Sequence, residues 1–296
     1  LEVTSGFEEE PIAHLIGDSY IHGVKAAEGD KYEPVDIAVL PSGVLRDSIT
    51  EGDITVSDAF KILPLGVGKD GESGYPLISV YLTGKELKLA AEIDASISPI
   101  MEFAKLYITG MRYTYNPNRI ILNKVTDVEM WDGGSETTEI DDQKLYRVVT
   151  DLYTAQMLSV VTDQSYGLLS IVPKDKDGNV VADFEDQIIY NDKNEELKVW
   201  VALTDYLQSF DKDKNGISNI DMKYSQQQGY KTLVDEKGLG IMFSNINGFS
   251  LAIIGIVLLV IVLVVLLIVF IVKRIKKRKG KNNYQYHNES FKPYRK

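Results

Sequence analysis

Apolar residues recur at helical spacing from Pro11 to Glu28, at Ile12, Leu15, Ile16, Tyr20 and Val24. Pro11 suits a helix start and Gly29 a helix end, so the spacing predicts a helix there. Val35 to Leu40 is a short apolar run that stops at Pro41-Ser42-Gly43, the pattern of a buried strand meeting a turn. Ser57 reads as the cap of a short helix through Leu63, stopped by Pro64, and Gly66 to Pro76 reads as a glycine-rich loop. Leu77 to Leu82 alternates as a strand, and Gly84 to Ile97 follows as an amphipathic helix. Strands are predicted over Met111 to Tyr115 and Arg119 to Val128, joined by the turn-type Asn116-Pro117-Asn118. Trp131 to Asp142 is polar and loop-like, Leu145 to Thr150 a strand, and Glu195 to Phe210 a helix carrying Leu197, Trp200, Leu203, Leu207 and Phe210. Strands interspersed with helices point to an α+β domain, and the sequence holds no internal repeat.

The pattern then changes. Leu251 to Val272 is 22 residues without one charged or strongly polar side chain. As a helix it measures about 33 Å, enough to cross a hydrocarbon core of about 30 Å. A soluble core helix of that length would carry a polar stripe. We expect one transmembrane helix over 250–272.

Charge is divided by that span. The whole chain of 296 residues has a formal net charge of −11, yet Lys273 to Lys296 holds ten basic residues and one acid, and Leu1 to Val272 is strongly acidic. Lys273-Arg274-Ile275-Lys276-Lys277-Arg278-Lys279 abuts one end of the span, whereas Ser244 to Ser250 carries no charge. The excess of Lys and Arg places 273–296 in the cytoplasm as a basic tail and the N-terminal residues outside a cell membrane. The lipid bilayer is then a partner of the span, and an acidic ectodomain is no nucleic-acid-binding surface. The chain begins at Leu1 without an initiator Met. We expect 1–10 to be a linker from a preceding domain, 11–243 an ectodomain, and the whole the C-terminal part of a longer protein.

Composition narrows the chemistry. There is no cysteine, so disulfides, thiolate metal sites and a cysteine nucleophile are excluded. His14, His22 and His287 are the three histidines, too few for a histidine-rich metal centre. His14 and His22 stand eight apart, beyond the spacing of a helical metal pair. Asp211-Lys212-Asp213-Lys214-Asn215-Gly216 imitates the first half of a calcium loop, but the twelfth position is Met222 where the bidentate Glu belongs, and the conventional site is incomplete. Asp175-Lys176-Asp177-Gly178-Asn179 is shorter and reads as a hairpin turn. The most informative local pattern is Pro41 to Asp53. A strand ends, a turn containing Gly43 follows, and Arg46 comes next, which brings backbone N–H groups and a guanidinium to one sheet end; the residues alone fit either an anion site or, more simply, a tight turn with a surface arginine.

The ordered series SGVLRDSITEGDI (Ser42 to Ile54), Pro64-Leu65-Gly66, VYLTGKEL (Val80 to Leu87), GMRYTY (Gly110 to Tyr115) and YRVVTDLY (Tyr146 to Tyr153) resembles the C-terminal domain of the 5'-nucleotidase/UDP-sugar hydrolase family. His14-Leu15-Ile16-Gly17-Asp18 resembles that domain's first helix, and the match covers Pro11 to Ala155. The resemblance implies 5'-nucleotidase C-terminal-domain-like mixed sheets with flanking helices. It implies the substrate-binding half of a phosphoric ester hydrolase acting on nucleotides or related phosphate esters. The divalent metal ions and their ligands would sit in an upstream metallophosphoesterase domain, so no metal, cofactor or catalytic residue is expected in this fragment, which alone should be inactive. Arg46 matches the family's substrate-contacting arginine, Gly43 lies in the same motif, and Tyr153 aligns with one of two phenylalanines that sandwich the base. The other falls on Leu65, the motif's opening polar residue is Pro41, and the following Gly-Gly-Asp-Gly turn is unrecognisable in Gln156 to Gly167. These departures leave a second reading, a non-catalytic surface binding or adhesion module with a degenerate nucleotide pocket.

Overall fold

The structure, a computed structural model, describes residues 1–2, 9–164 and 169–289. It divides into two units, Leu1–Ser244 and Asn245–Lys296. The linker expected over 1–10, the tail expected over 273–296 and the segment Gln156 to Gly167 fall partly outside the described residues.

The first unit is α+β, as its sequence pattern predicts. Helix α1 runs Pro11–Glu28 and strand β1 Ile37–Pro41. Helix α2, Val56–Ile62, precedes strand β2, Leu77–Thr83, and helix α3, Gly84–Ile97. Strands β3 (Leu106–Tyr115), β4 (Val125–Trp131), β5 (Thr138–Glu139) and β6 (Leu145–Asp151) follow, then helix α4, Leu152–Gln164. Helix α5 (Val199–Ser209), strand β7 (Lys231–Leu233) and the one-turn helix α6 (Leu239–Met242) complete the unit. Among the described residues seven strands form a mixed sheet in the order β2-β6-β1-β3-β4-β5, with β7 beside β3. The pairing β1–β6 is parallel, whereas β2–β6, β1–β3 and β3–β4 are antiparallel.

β3 is long enough to serve two neighbourhoods, pairing β1 through its first half and β4 and β7 through its second. The change occurs at Gly110, whose φ of +100° a side chain would strain and whose Cβ would stand 2.2 Å from the Asp36 carbonyl oxygen. The sheet curls there. α1 lies against β1, β3 and α5, burying Ile12, Leu15, Ile16, Tyr20 and Val24, the periodic residues that predicted it. It approaches β3 closely because Gly17 has no side chain: a Cβ there would meet Thr109 Oγ1 at 2.3 Å.

Local chemistry moves several expected boundaries. Thr55, not Ser57, caps α2: the Asp58 N–H donates to Thr55 Oγ1 and the Thr55 N–H to the Asp58 carboxylate, a capping box. The strand expected from Arg119 begins only at Val125. Ahead of it, Arg119 donates to the Asn123 carbonyl at 2.6 Å and to the Ser244 carbonyl at 2.7 Å, while Leu122 takes φ +58°. Glu92 of α3 receives the Lys124 and Val125 N–H groups. Three turns at 175–179, 191–195 and 213–217 repeat one hairpin. In each the first residue's N–H bonds to the fifth residue's carbonyl, and a residue with positive φ (Gly178, Asn194 or Gly216) closes it.

The second unit contains helix α7, Gly248–Glu289. Within it Ser250–Lys277 has a mean hydropathy of 3.8 in its most apolar stretch. Apolar side chains are exposed all round the helix, among them Leu258, Val262, Leu266 and Phe270. It is long and apolar enough to span a membrane.

Candidate functional site

Because β1 and β6 are parallel neighbours (Ile37 opposite Val148, Ala38 opposite Val149), their C-terminal ends open on the same end of the sheet. The segment after β1 carries Gly43 and Arg46; the one after β6 carries Tyr153. The topology thus starts at one sheet end the two segments that carry the three residues singled out in the sequence.

After β1 the chain makes a tight turn over Ser42–Val44. The Ser42 N–H donates to the Lys105 carbonyl at 2.9 Å and its hydroxyl to the Glu102 carbonyl at 3.1 Å, tying the turn to the start of β3. Gly43 is exposed, with open space where a Cβ would stand. The Arg46 N–H donates to the Ile62 carbonyl at 2.9 Å, fixing the backbone against the end of α2. Its side chain is exposed and makes no ion pair or hydrogen bond among the described residues. A held backbone bearing a guanidinium without a partner among the described residues suits an anionic ligand.

At the end of β6, Asp151 is buried and turns the chain into α4. It accepts the Thr154 N–H at 2.9 Å and the Thr154 hydroxyl at 2.6 Å. Burial holds its carboxyl above the usual range despite these bonds. Tyr20 of α1 is wholly buried, and its hydroxyl has no partner among the described residues. Burial, then the charge of Asp151, pushes its pKa up, so the phenol stays protonated. Tyr20 and Asp151 line a crevice with Val44, Leu63, Leu65 and Tyr75 that has no room for a water molecule.

Tyr75, which also lines this crevice, stacks on Tyr153, ring centroids 5.5 Å apart and planes 22° apart. The sequence reading missed Tyr75, Tyr20 and Asp151. Tyr75 sits in a glycine-rich loop whose residue types mark only a turn. Tyr20 reads as one more apolar position of α1.

The remaining candidates are structural. His14 is buried, bonded through Nδ1 to Thr109 Oγ1 at 3.0 Å and stacked on Tyr230 at 3.7 Å. Asp18 accepts hydrogen bonds from Lys223 and Tyr224. In the calcium-like segment, Asp213 Oδ1 accepts the Asn215 N–H at 2.8 Å and the Ile217 N–H at 2.9 Å, so its carboxylate is engaged by the hairpin. Those bonds lower its pKa. Among the described residues no group of three or more His, Cys, Asp or Glu is placed to hold a metal.

The fold is thus a curled mixed-sheet α+β domain in which the segments after two parallel strands carry Arg46 and the stacked Tyr153. The family model described as "5'-nucleotidase, C-terminal domain" matches residues 2–160. The chain belongs to that family. It is 29% identical over 153 residues to the 5'-nucleotidase-related protein of Glossina morsitans morsitans, covering 48% of this chain and 26% of that protein. It is 26% identical over 163 residues to the trifunctional nucleotide phosphoesterase protein YfkN of Bacillus subtilis (strain 168), covering 54% of this chain and 10% of that protein. The fold resembles the crystal structure of the 5'-nucleotidase precursor from Thermus thermophilus, with a TM-score of 0.50 at 19% identity over 78% of this chain and 37% of that one. The chain therefore spans about a quarter or less of the curated relatives it matches.

Proposed function

We propose that this chain is the substrate-binding part of a membrane-tethered, metal-dependent phosphoesterase that hydrolyses nucleotides or related phosphate esters at the cell surface. Arg46 takes the anionic part of the substrate, Gly43 lets the turn approach it, and Tyr153 stacks on the base. The hydrolytic metal ions belong to a metallophosphoesterase domain outside this sequence, where they polarise the phosphate and activate water. The apolar part of α7 anchors the protein, with the basic residues after Val272 on the cytoplasmic side.

The observation that supports this reading is the parallel β1–β6 pair, whose following segments carry Arg46, without a partner among the described residues, and Tyr153. The test is calorimetric titration of the full chain in neutral detergent with adenosine monophosphate and adenosine. We expect the monophosphate to bind more tightly, and Arg46→Ala to remove that difference by weakening it about tenfold or more, the loss of charge-assisted hydrogen bonds. Equal affinity for the two ligands in the unaltered chain would remove Arg46 from the site.

A second reading has its own support. Leu65 offers no aromatic face and Tyr75 already covers Tyr153, as in a surface binding module whose nucleotide pocket has decayed. No binding of either ligand at millimolar concentration would favour it.

A further inference from the structure

The aromatic face of Tyr153 is occupied by the chain itself. The Tyr75 ring stacks on it at 5.5 Å, a direct contact that leaves no gap for a third ring. The same ring lies on the backbone of Gly66: a Cβ built there would stand 2.2 to 2.5 Å from three of its ring atoms. Leu65 and Gly66, the family's aromatic turn, therefore face an internal tyrosine.

The backbone of Tyr75 is fixed while its side chain is only half buried. Its N–H donates to the Leu65 carbonyl at 2.9 Å and its carbonyl accepts the Val199 N–H at 3.0 Å. The neighbouring Gly74 N–H donates to the Gly66 carbonyl at 2.9 Å, and the Trp200 indole to the Ser73 carbonyl at 2.9 Å. A loop held at four points does not swing. The ring can leave only by turning about its own side-chain bonds, towards solvent.

Tyr75 and Tyr20 line one crevice that admits no water, and the buried Tyr20 hydroxyl has no partner among the described residues. A buried donor left unsatisfied is costly, and a polar atom brought to the Tyr20 hydroxyl would relieve that cost. With Tyr75 turned out, a ligand ring would fill the slot and bring a polar atom to Tyr20.

Resting on the proposed function, we propose that Tyr75 is a gate and a specificity-determining residue. A planar ring, a nucleobase or another heteroaromatic, must displace Tyr75 to stack on Tyr153 and reach the Tyr20 hydroxyl. Apparent affinity is then reduced by the fraction of time the gate is shut.

The test is equilibrium dialysis of the full chain in neutral detergent against radiolabelled adenosine and, separately, indole, with thermal unfolding as the check of fold. We expect Tyr75→Ala to bind both rings about tenfold more tightly than the unaltered chain. Tyr75→Phe, which keeps the gate, should match the unaltered chain, and Tyr153→Ala added to Tyr75→Ala should abolish the gain. If Tyr75→Ala does not fold, Tyr75→Leu takes its place. Clear adenosine binding by the unaltered chain that Tyr75→Ala does not tighten, with no gain for indole either, would overturn the gate while leaving nucleotide binding in place. A gain for indole alone would keep the gate and remove the nucleotide. No gain for either ring in a folded variant would overturn the gate.

Discussion

Lys105 and Glu10 form an ion pair of 2.7 Å, with side chains only 3% and 2% exposed, between the approach to β3 and the residue before α1. The pair lies 95 residues apart in sequence and fastens the start of α1 to the sheet. Breaking a buried pair strands the surviving charge. Lys105→Met should therefore destabilise the fold by about 3–5 kcal/mol, and adding Glu10→Leu should recover much of that. Urea denaturation followed by circular dichroism would measure both. A single variant as stable as the unaltered chain would show that the pair is dispensable.

The fold is also expected to weaken in mild acid. Burial, reinforced by the positive charge of Lys231, holds the His14 pKa well below 6.5. Thr109, Tyr107 and Tyr230 surround the ring without supplying a carboxylate. A depressed histidine leaves stability intact above its unfolded pKa near 6.5. Stability is lost below it, as the unfolded chain takes up a proton that the fold refuses. Between pH 7 and pH 5.5 the loss from one such group is about 1 kcal/mol. His22, whose pKa burial also lowers, contributes with the same sign. Urea titrations at the two pH values in a His22→Gln background should show the difference, and His14→Gln should flatten it. An unchanged slope in that variant would place the acid sensitivity elsewhere.

Gly110 within β3 and Gly43 in the turn after β1 should respond differently to alanine. At Gly110 a Cβ meets the Asp36 carbonyl oxygen at 2.2 Å in a backbone of positive φ, so Gly110→Ala should cost about 3 kcal/mol or more. At Gly43 nothing stands within 4 Å of the added Cβ. Gly43→Ala should leave stability within about 0.5 kcal/mol. Any fall in nucleotide affinity in that variant then reports close approach of a ligand to the turn. A drop in melting temperature at Gly43 as large as at Gly110 would contradict this division.

What the sequence made legible follows from where its signals are local. α1 and α3 carry their own apolar periodicity, and their observed spans, Pro11–Glu28 and Gly84–Ile97, match the expected ones. The short strand before Pro41 and the α+β class were likewise readable. Residues 119–124 were not, because Arg119 bonds to Ser244 and Glu92 receives the Lys124 and Val125 N–H groups. Those are contacts over 32 residues or more, and they override strand propensity. At the site, Arg46, Gly43 and Tyr153 stood out through the motif order. Tyr75 did not, since its significance depends on the Tyr153 ring it stacks against. Asp213 illustrates the converse: residue types that suggest an ion-binding loop also build an Asx-stabilised hairpin, and only the hydrogen bonds distinguish them.

The final expectation concerns the span, where magnitude decides the design. At the centre of a membrane helix each Leu, Ile, Val or Phe contributes roughly −0.3 to −0.6 kcal/mol to insertion and an Arg opposes it by about 2.5–3.5 kcal/mol. Leu251 to Val272 contains little else than such apolar residues. Their sum is several times the opposition of one arginine, so Val262→Arg alone should leave the chain in the membrane. The triple variant Leu258→Arg, Val262→Arg, Leu266→Arg opposes insertion by about 9 kcal/mol and removes three favourable residues, which should tip the balance. Flotation of microsomes after alkaline carbonate extraction separates these outcomes: the single variant floats with the lipid and the triple variant stays at the bottom of the gradient. A triple variant that still floats would show that α7 is not what holds the protein to the bilayer. Release by the single variant would show that insertion is far weaker than the apolar length of α7 implies.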